Sequence, residues 1–193
     1  MTKLRVLTAP DPILAAKAQP VTRVDDAVRR QMDDMLETMY DGGIGLAANQ
    51  VGLLNRVIVM DMRGARWDLV AEGRGLYRVA DVRHSDDGME NREPLVMANP
   101  EIMKISDEKS IYPEGCLSVP GQFCDVIRPA FVTVKYLDYD GKEQTMEADG
   151  LLSHCIQHEI DHLDGVLFVD HLSRLKRNMI VRKLEKLKKQ EIL

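Results

Sequence analysis

The chain has 193 residues, of which 45% are hydrophobic, 30% charged and 5% aromatic. This length fits one domain of about 100–200 residues, and the apolar content excludes a wholly disordered chain. No apolar stretch approaches the roughly 20 residues of a membrane-spanning helix, and the first residues lack the apolar core of a signal peptide. The net charge of −5 argues against a DNA-binding protein. We therefore expect a cytoplasmic protein with neither a membrane nor a DNA partner.

The first predicted helix spans residues 25–40. Its apolar residues recur with helical spacing, Asp25 or Asp26 can cap its start, and Gly42 and Gly43 can end it. The segment that follows, Gly43–Gln50 (GIGLAANQ), has small side chains that allow a substrate or another backbone to approach closely. Gln50 offers an uncharged N–H donor of the kind that stabilises an oxyanion. The alternative is a helix stop followed by a tightly packed turn.

Short strands are predicted in the middle of the chain, at residues 56–62, 95–98, 131–136 and 144–147. The charged, glycine-containing segment near 63–94 is either partly strand or a surface insertion, and we treat it as an insertion without an assigned role. Helices early and late with strands between them predict an α+β fold rather than a repeating βαβ fold.

A predicted helix over residues 149–163 carries the pattern His-Glu-x-x-His from His158 to His162. Residues four apart lie on one face of a helix, so both imidazoles can bind one metal ion, with Glu159 near enough to handle a proton. Two histidines on a surface helix without a metal are the alternative. An apolar stripe on another face of this helix suits the core, and its members are Leu152, Ile156, Ile160 and Leu163.

A catalytic metal usually takes three protein ligands and a water, so a third ligand is needed. Of the three cysteines, Cys116 is the best candidate because the Pro and Gly residues around it indicate a rigid, irregular loop rather than a packed strand. A buried or reactive thiol is the alternative. Cys155 precedes His158 by three residues and is interpreted as a pocket wall, and Cys124 has no comparable setting.

The last predicted helix, near 173–191, is strongly basic. From Ser173 to Leu193, eight Lys and Arg residues stand against two Glu, so this segment carries +6 while the rest of the chain carries −11. Such segregation suggests an anionic partner, and a solvated helix face is the alternative.

Three segments in this order, GIGLAANQ (Gly43–Gln50), EGCLS (Glu114–Ser118) and QHEIDH (Gln157–His162), resemble the signature motifs of the peptide deformylase family. The resemblance covers nearly the whole chain. It implies antiparallel sheets packed around a central metal-binding helix, in a single catalytic domain over residues 1–193 with a C-terminal helix. It also implies a hydrolase that removes the N-formyl group from the formyl-methionine of new polypeptides and releases formate.

The resemblance assigns a role to individual residues. It implies that Cys116, His158 and His162 bind the metal, that a metal-activated water attacks the formyl carbon, and that Glu159 is the general acid/base. Gln50 and the amide of Leu117 are implied as oxyanion donors. The residues implied to contact the substrate are Ile44, Gly45, Tyr112, Gly115, Leu151, His154 and Cys155.

Two positions depart from common members of the family. His154 replaces an apolar wall residue, which implies a change in the polarity or size of the pocket, and Phe123 stands where some members have an arginine. Ligand softness alone would favour Zn²⁺, whereas the resemblance implies Fe²⁺, with Zn²⁺, Ni²⁺ or Co²⁺ able to substitute. The basic helix then suggests ribosome contact. The rival hypotheses are a general metallopeptidase and a ribosome- or RNA-associated factor with a structural metal.

Overall fold

The computed structural model describes residues 2–62, 65–83 and 92–190. It contains three α-helices, α1 (Asp26–Met39), α2 (Gly150–Leu163) and α3 (Arg174–Lys189). Nine strands accompany them in the described parts of the chain: β1 (Gly45–Ala47), β2 (Val57–Met60), β3 (Arg66–Gly73), β4 (Leu76–Arg83), β5 (Leu95–Ile105), β6 (Lys109–Cys116), β7 (Val119–Pro129), β8 (Phe131–Leu137) and β9 (Glu143–Asp149). The α+β prediction is confirmed.

The strands form two sheets. Five strands pair in the order β1-β2-β5-β8-β9, and four pair in the order β3-β4-β6-β7. All pairings are antiparallel except β4 with β6, which is parallel. Helix α2 contacts strands of both sheets, so it lies between them. Because of this position nearly every residue of α2 is buried, not only the apolar stripe expected from the sequence.

The five-stranded sheet is covered on both faces. Ile58 and Met60 of β2 belong to the cluster that also contains Ile156 and Ile160 of α2. Val57 and Val59, which point to the opposite face of the same strand, pack with Met32, Met35 and Met39 of α1. This alternation places β2 between two helices, with α2 on one face and α1 on the other.

The predicted helices agree closely with the structure. Asp25 caps α1, its carboxylate accepting from the amides of Ala27 and Val28, and the hydroxyl of Ser173 accepts from the amide of Lys176 to cap α3. Ile180 and Leu184 of α3 pack with Phe168 and Val126 over the second sheet. Within the described residues, no helix combines the length and the apolar character needed to cross a bilayer.

The segment near 63–94 is partly strand, one of the two alternatives that the sequence left open. Strands β3 and β4 pair with each other, and β4 extends the sheet through β6. The indole N–H of Trp67 donates to the Asp149 carboxylate at 3.2 Å, and Gly150 has φ +48 beneath the ring, where an added Cβ would lie 1.8 Å from the indole nitrogen. The hairpin therefore packs against the start of α2, and only glycine fits there. Residues 63–64 and 84–91 lie outside the described residues.

Candidate metal centre and active site

Three side chains with metal-ligating atoms converge between α2 and the end of β6. The ligating atoms of Cys116, His158 and His162 all lie within 4.8 Å of one another. The Cys116 sulfur is 3.2 Å from Nε2 of His162, and the two imidazole centroids are 4.9 Å apart. Both histidines are buried, and Cys116 is half-buried. The structure thus brings together the three residues that were predicted to bind a metal.

Cys116 is the last residue of β6, so the prediction of an irregular loop is wrong. It pairs with Val119 of β7 after a register shift at Gly115, and Leu117 and Ser118 form the tight turn between the strands. The amide of Ser118 donates to the Cys116 sulfur at 3.3 Å. A hairpin turn, rather than a free loop, therefore fixes the thiol beside α2.

Glu114 organises the other side of the histidine pair, and the sequence analysis missed this residue. Its carboxylate accepts from Nδ1 of His158 and from Nδ1 of His154, each at 2.9 Å. A carboxylate only accepts, so both histidines carry a hydrogen on Nδ1, and Nε2 is the ring nitrogen of His158 that remains for a metal. A hydrogen bond of this kind orients a ligating imidazole and raises its basicity.

Arg128 neutralises the buried Glu114 carboxylate. Its guanidinium donates to both carboxylate oxygens, at 2.6 and 2.9 Å, and to Asp161 at 2.7 Å. Burial alone would raise the pKa of Glu114, but the hydrogen bonds from His154, His158 and Arg128 hold it well below its usual range. Glu114 therefore remains an anion inside the protein. The sequence offered one indication of this role, the position of Glu114 two residues before Cys116. Its hydrogen-bond partners lie 14 or more residues later in the chain, so no local pattern links them to it.

Glu159 lies beside Cys155 beneath β1. The backbone of β1 approaches so closely that a Cβ on Gly45 would lie 2.3 Å from Oε1 of Glu159. Burial raises the pKa of this carboxyl to about 7. Its Oε2 is among the buried side-chain atoms that lack a hydrogen-bond partner within the described part of the chain. A buried acid with an unused oxygen at a cavity wall is suited to exchanging a proton.

Gln50 lies within a 3-10 helix (Ala48–Val51) directly after β1, in the segment for which a tightly packed turn was the alternative prediction. Its side-chain oxygen accepts from the amide of Ala47 at 2.8 Å. Its nitrogen donates to Oγ of Ser118 at 3.1 Å and approaches the Cys116 sulfur at 3.4 Å. These contacts fix an amide N–H group next to the Cys116 thiol.

A cavity of about 430 Å³ opens onto this centre. All of the predicted site residues except His162 line it, and His162 is fully buried beside Cys116. Phe123 also lines the cavity and is 73% exposed. The lining residues that were predicted are Ile44, Gly45, Gln50, Tyr112, Gly115, Cys116, Leu117, Leu151, His154, Cys155, His158 and Glu159.

The residues present fit a divalent metal. A thiol and two imidazoles form a donor set used by catalytic metals, which keep further positions for water or substrate. Burial holds the pKa of His162 well below its ordinary value, so this imidazole is in the neutral form that binds metals. Cys116 and His158 line the cavity, so a substrate can reach these side chains from that side.

Comparisons with known proteins agree with this geometry. The family model described as Polypeptide deformylase matches residues 3–178. The chain is 47% identical to the peptide deformylase of Agrobacterium fabrum over 193 residues, which cover 100% of both chains. It is 48% identical to that of Mesorhizobium japonicum over 187 residues, covering 96% of this chain and 93% of the relative.

Solved structures give the same result. A crystal structure of the Ehrlichia chaffeensis peptide deformylase has a TM-score of 0.80 and 37% identity, with 100% of both chains covered. Its complex with actinonin has a TM-score of 0.79 and 40% identity, covering 96% of this chain and 98% of the other. The chain therefore belongs to the peptide deformylase family, metal-dependent hydrolases that remove the N-formyl group from nascent peptides.

Proposed function

We propose that Cys116, His158 and His162 bind the catalytic metal, that Glu159 is the general acid/base, and that Gln50 and the Leu117 amide stabilise the oxyanion. The observation that carries this proposal is the convergence of the three ligating atoms within 4.8 Å of one another, on a cavity that Glu159 and Gln50 also line. The motifs lie on elements of both sheets and on α2, which supports one catalytic domain spanning the chain.

When bound, the metal supplies Lewis-acid chemistry, which lowers the pKa of water toward neutrality and polarises a carbonyl oxygen. Glu159 accepts the proton of the attacking water and later delivers it to the leaving amine. Gln50 and the Leu117 amide donate to the oxygen of the formyl group as negative charge develops on it. Glu114 keeps the imidazole of His158 in the tautomer that leaves Nε2 unprotonated.

The substrate side chain and backbone enter the cavity beside the metal ligands. Apolar side chains of Ile44, Leu151 and Cys155 line it, and burial raises the pKa of the Cys155 thiol well above its ordinary value, so that it remains neutral. Strand β1 is an edge strand of the five-stranded sheet, and its backbone at Gly45 lines the cavity. This edge offers hydrogen-bonding groups to an extended peptide, and the related Ehrlichia chaffeensis enzyme binds actinonin in a crystal structure.

The metal-loaded protein is expected to release formate from formyl-Met-Ala-Ser and to leave the peptide bonds intact. The unformylated peptide Met-Ala-Ser is the matched control and should not be altered. An enzymatic formate assay and mass spectrometry of both peptides measure the two outcomes. Release of free amino acids from the control would identify a general metallopeptidase instead.

We propose Fe²⁺ as the physiological metal, on the strength of the family resemblance rather than of ligand softness, and Zn²⁺, Ni²⁺ or Co²⁺ as possible substitutes. Ferrous iron and a ligating thiolate both oxidise, so the iron form should lose activity in air while the nickel form keeps it. Turnover under anaerobic and aerobic conditions, normalised to measured metal content, provides the comparison. An iron form that is stable in air would contradict this assignment.

We further propose that α3 contacts the ribosome in the cytoplasm, where the substrate emerges. All eight of its basic side chains are exposed, whereas Ile180 and Leu184 are buried. Replacing Arg182, Lys186 and Lys189 by glutamine therefore removes charge without uncovering the core. Ribosome co-sedimentation should weaken, and the slope of log affinity against log salt should fall by about 0.7–0.9 per lost phosphate contact. An unchanged slope would exclude docking through α3.

A further inference from the structure

The buried carboxylate of Glu114 accepts two hydrogen bonds at each of its oxygens. Oε1 accepts from Nε of Arg128 at 2.6 Å and from Nδ1 of His154 at 2.9 Å. Oε2 accepts from a terminal nitrogen of Arg128 and from Nδ1 of His158, each at 2.9 Å. A carboxylate has about four lone-pair positions, so these bonds use all of them. The two histidines therefore occupy equivalent places on opposite oxygens, although only His158 is a proposed metal ligand.

His154 is held on its other side by a buried hydroxyl group. Its Nε2 lies 2.9 Å from Oγ of Ser110. Because Nδ1 carries the hydrogen that Glu114 accepts, Nε2 of the neutral ring accepts from this hydroxyl. The exposed fraction is 1% for His154 and 0% for Ser110, so the polar atoms of the ring serve the interior rather than the cavity. Ser110 and Glu114 both lie on β6, whereas His154 lies on α2, so the ring joins α2 to two points of β6.

The position of the Glu114 carboxylate determines how His158 is held. A hydrogen bond from the outer nitrogen of a ligating imidazole fixes the orientation of the ring. Arg128 binds both carboxylate oxygens, and His154 balances the bond from His158 by holding the opposite oxygen. A buried acceptor without a donor is unfavourable. Without His154 the carboxylate is therefore expected to move toward the donors that remain, and His158 would move with it.

We propose that His154, held by Ser110, is a positioning residue for the metal centre. It fixes the Glu114 carboxylate and thereby keeps Nε2 of His158 directed at the metal ion. The proposal rests on the proposed function, because that function makes His158 a ligand. A His154 that only filled buried space would stabilise the fold without affecting how tightly the metal is bound.

Two amide variants separate the two hydrogen bonds of the His154 ring. In His154→Asn the amide nitrogen is attached to Cγ, as Nδ1 is, so the donor to Glu114 is kept and the contact with Ser110 is lost. In His154→Gln the amide lies one carbon further out, near the place of Nε2, so it reaches Ser110 instead of Glu114. Both variants bury the same polar group, so a purely structural role would affect them alike. His154→Leu removes both hydrogen bonds.

The measurement is the Kd for Zn²⁺, obtained by competition with a chromophoric chelator. The Kd should rise about 10-fold for His154→Leu and His154→Gln, the lower end of the range for loss of an outer partner of a ligating histidine. For His154→Asn it should rise less than about 3-fold, because the donor to Glu114 remains. Thermal unfolding of the metal-free proteins measures the structural cost, which should be similar for the asparagine and glutamine variants.

Ser110→Ala is the matched control on the far side of the ring. It leaves the bond between His154 and Glu114 in place, so the Kd should rise less than for His154→Leu. An unchanged Kd in His154→Leu, or equal Kd values for the asparagine and glutamine variants, would overturn the proposal. If His154→Leu does not fold, the comparison of the two amide variants decides. Equally tight Zn²⁺ binding by Cys116→Ala and the unaltered protein would instead refute the ligand assignment of the proposed function, and this proposal with it.

Discussion

Replacing Glu159 by glutamine should lower turnover by about 10²- to 10⁴-fold, the usual contribution of a positioned general acid/base. Glutamine has nearly the same shape, which matters because β1 leaves no spare room next to Oε1. The amide cannot accept the proton of water, so the chemical step slows. Metal content should be unchanged, because the three proposed metal ligands remain.

Cys116→Ala is the matched control for Glu159→Gln. It removes one of the three proposed ligating atoms, so both metal content and formate release should fall together. Cys155→Ala, a change to a thiol on the same cavity, should leave the metal content unchanged. Elemental analysis and formate release on the same samples, with thermal unfolding to exclude misfolding, distinguish these outcomes. Near-normal turnover of the Glu159→Gln variant would contradict the assignment of Glu159 as the general base.

Replacing Gln50 by alanine should lower kcat by about 10²- to 10³-fold, as expected for the loss of one oxyanion donor. The donor acts on charge that develops only in the transition state, so KM should change little. The variant should still bind metal, although the lost contact to the Ala47 amide leaves a buried donor unpaired at a cost of about 1–3 kcal/mol in stability.

Ser118→Ala provides the control for Gln50→Ala. Ser118 accepts a hydrogen bond from the Gln50 amide at 3.1 Å but is itself fully buried, so it orients the donor without replacing it. A smaller decrease in kcat is expected for this variant than for Gln50→Ala. Steady-state kinetics on metal-matched samples measure both, and equal kcat values for Gln50→Ala and the unaltered protein would contradict the oxyanion assignment.

Local patterns predicted the helices and the histidine pair. The spacing of His158 and His162 needs only a regular helix to place both rings on one face, and Asp25 acts as a cap through the amides of its nearest neighbours. Each of these features depends only on residues that are a few positions apart in the sequence. The sequence therefore predicted the helix boundaries to within two residues, and the three residues that it predicted as metal ligands lie together in the structure.

Long-range pairing was not predictable in the same way. Strands β6 and β7 contain Pro113 and Pro120, which argue against strands in isolation, yet the two strands pair with each other along the whole length of β6. Glu114 acquires its role only when Arg128, His154 and His158 surround it. Such a cluster forms only in the folded chain, and no periodicity in the sequence predicts it.

Gly45 has no side chain, and the Glu159 carboxylate of α2 fills the space that a side chain at this position of β1 would need. An alanine at that position would require the Glu159 carboxylate or the strand to shift to avoid the overlap. The two positions are thus expected to vary together during evolution, although they lie far apart in sequence. Enzyme engineering that adds a side chain at this edge would accordingly have to make room at Glu159 in the same step.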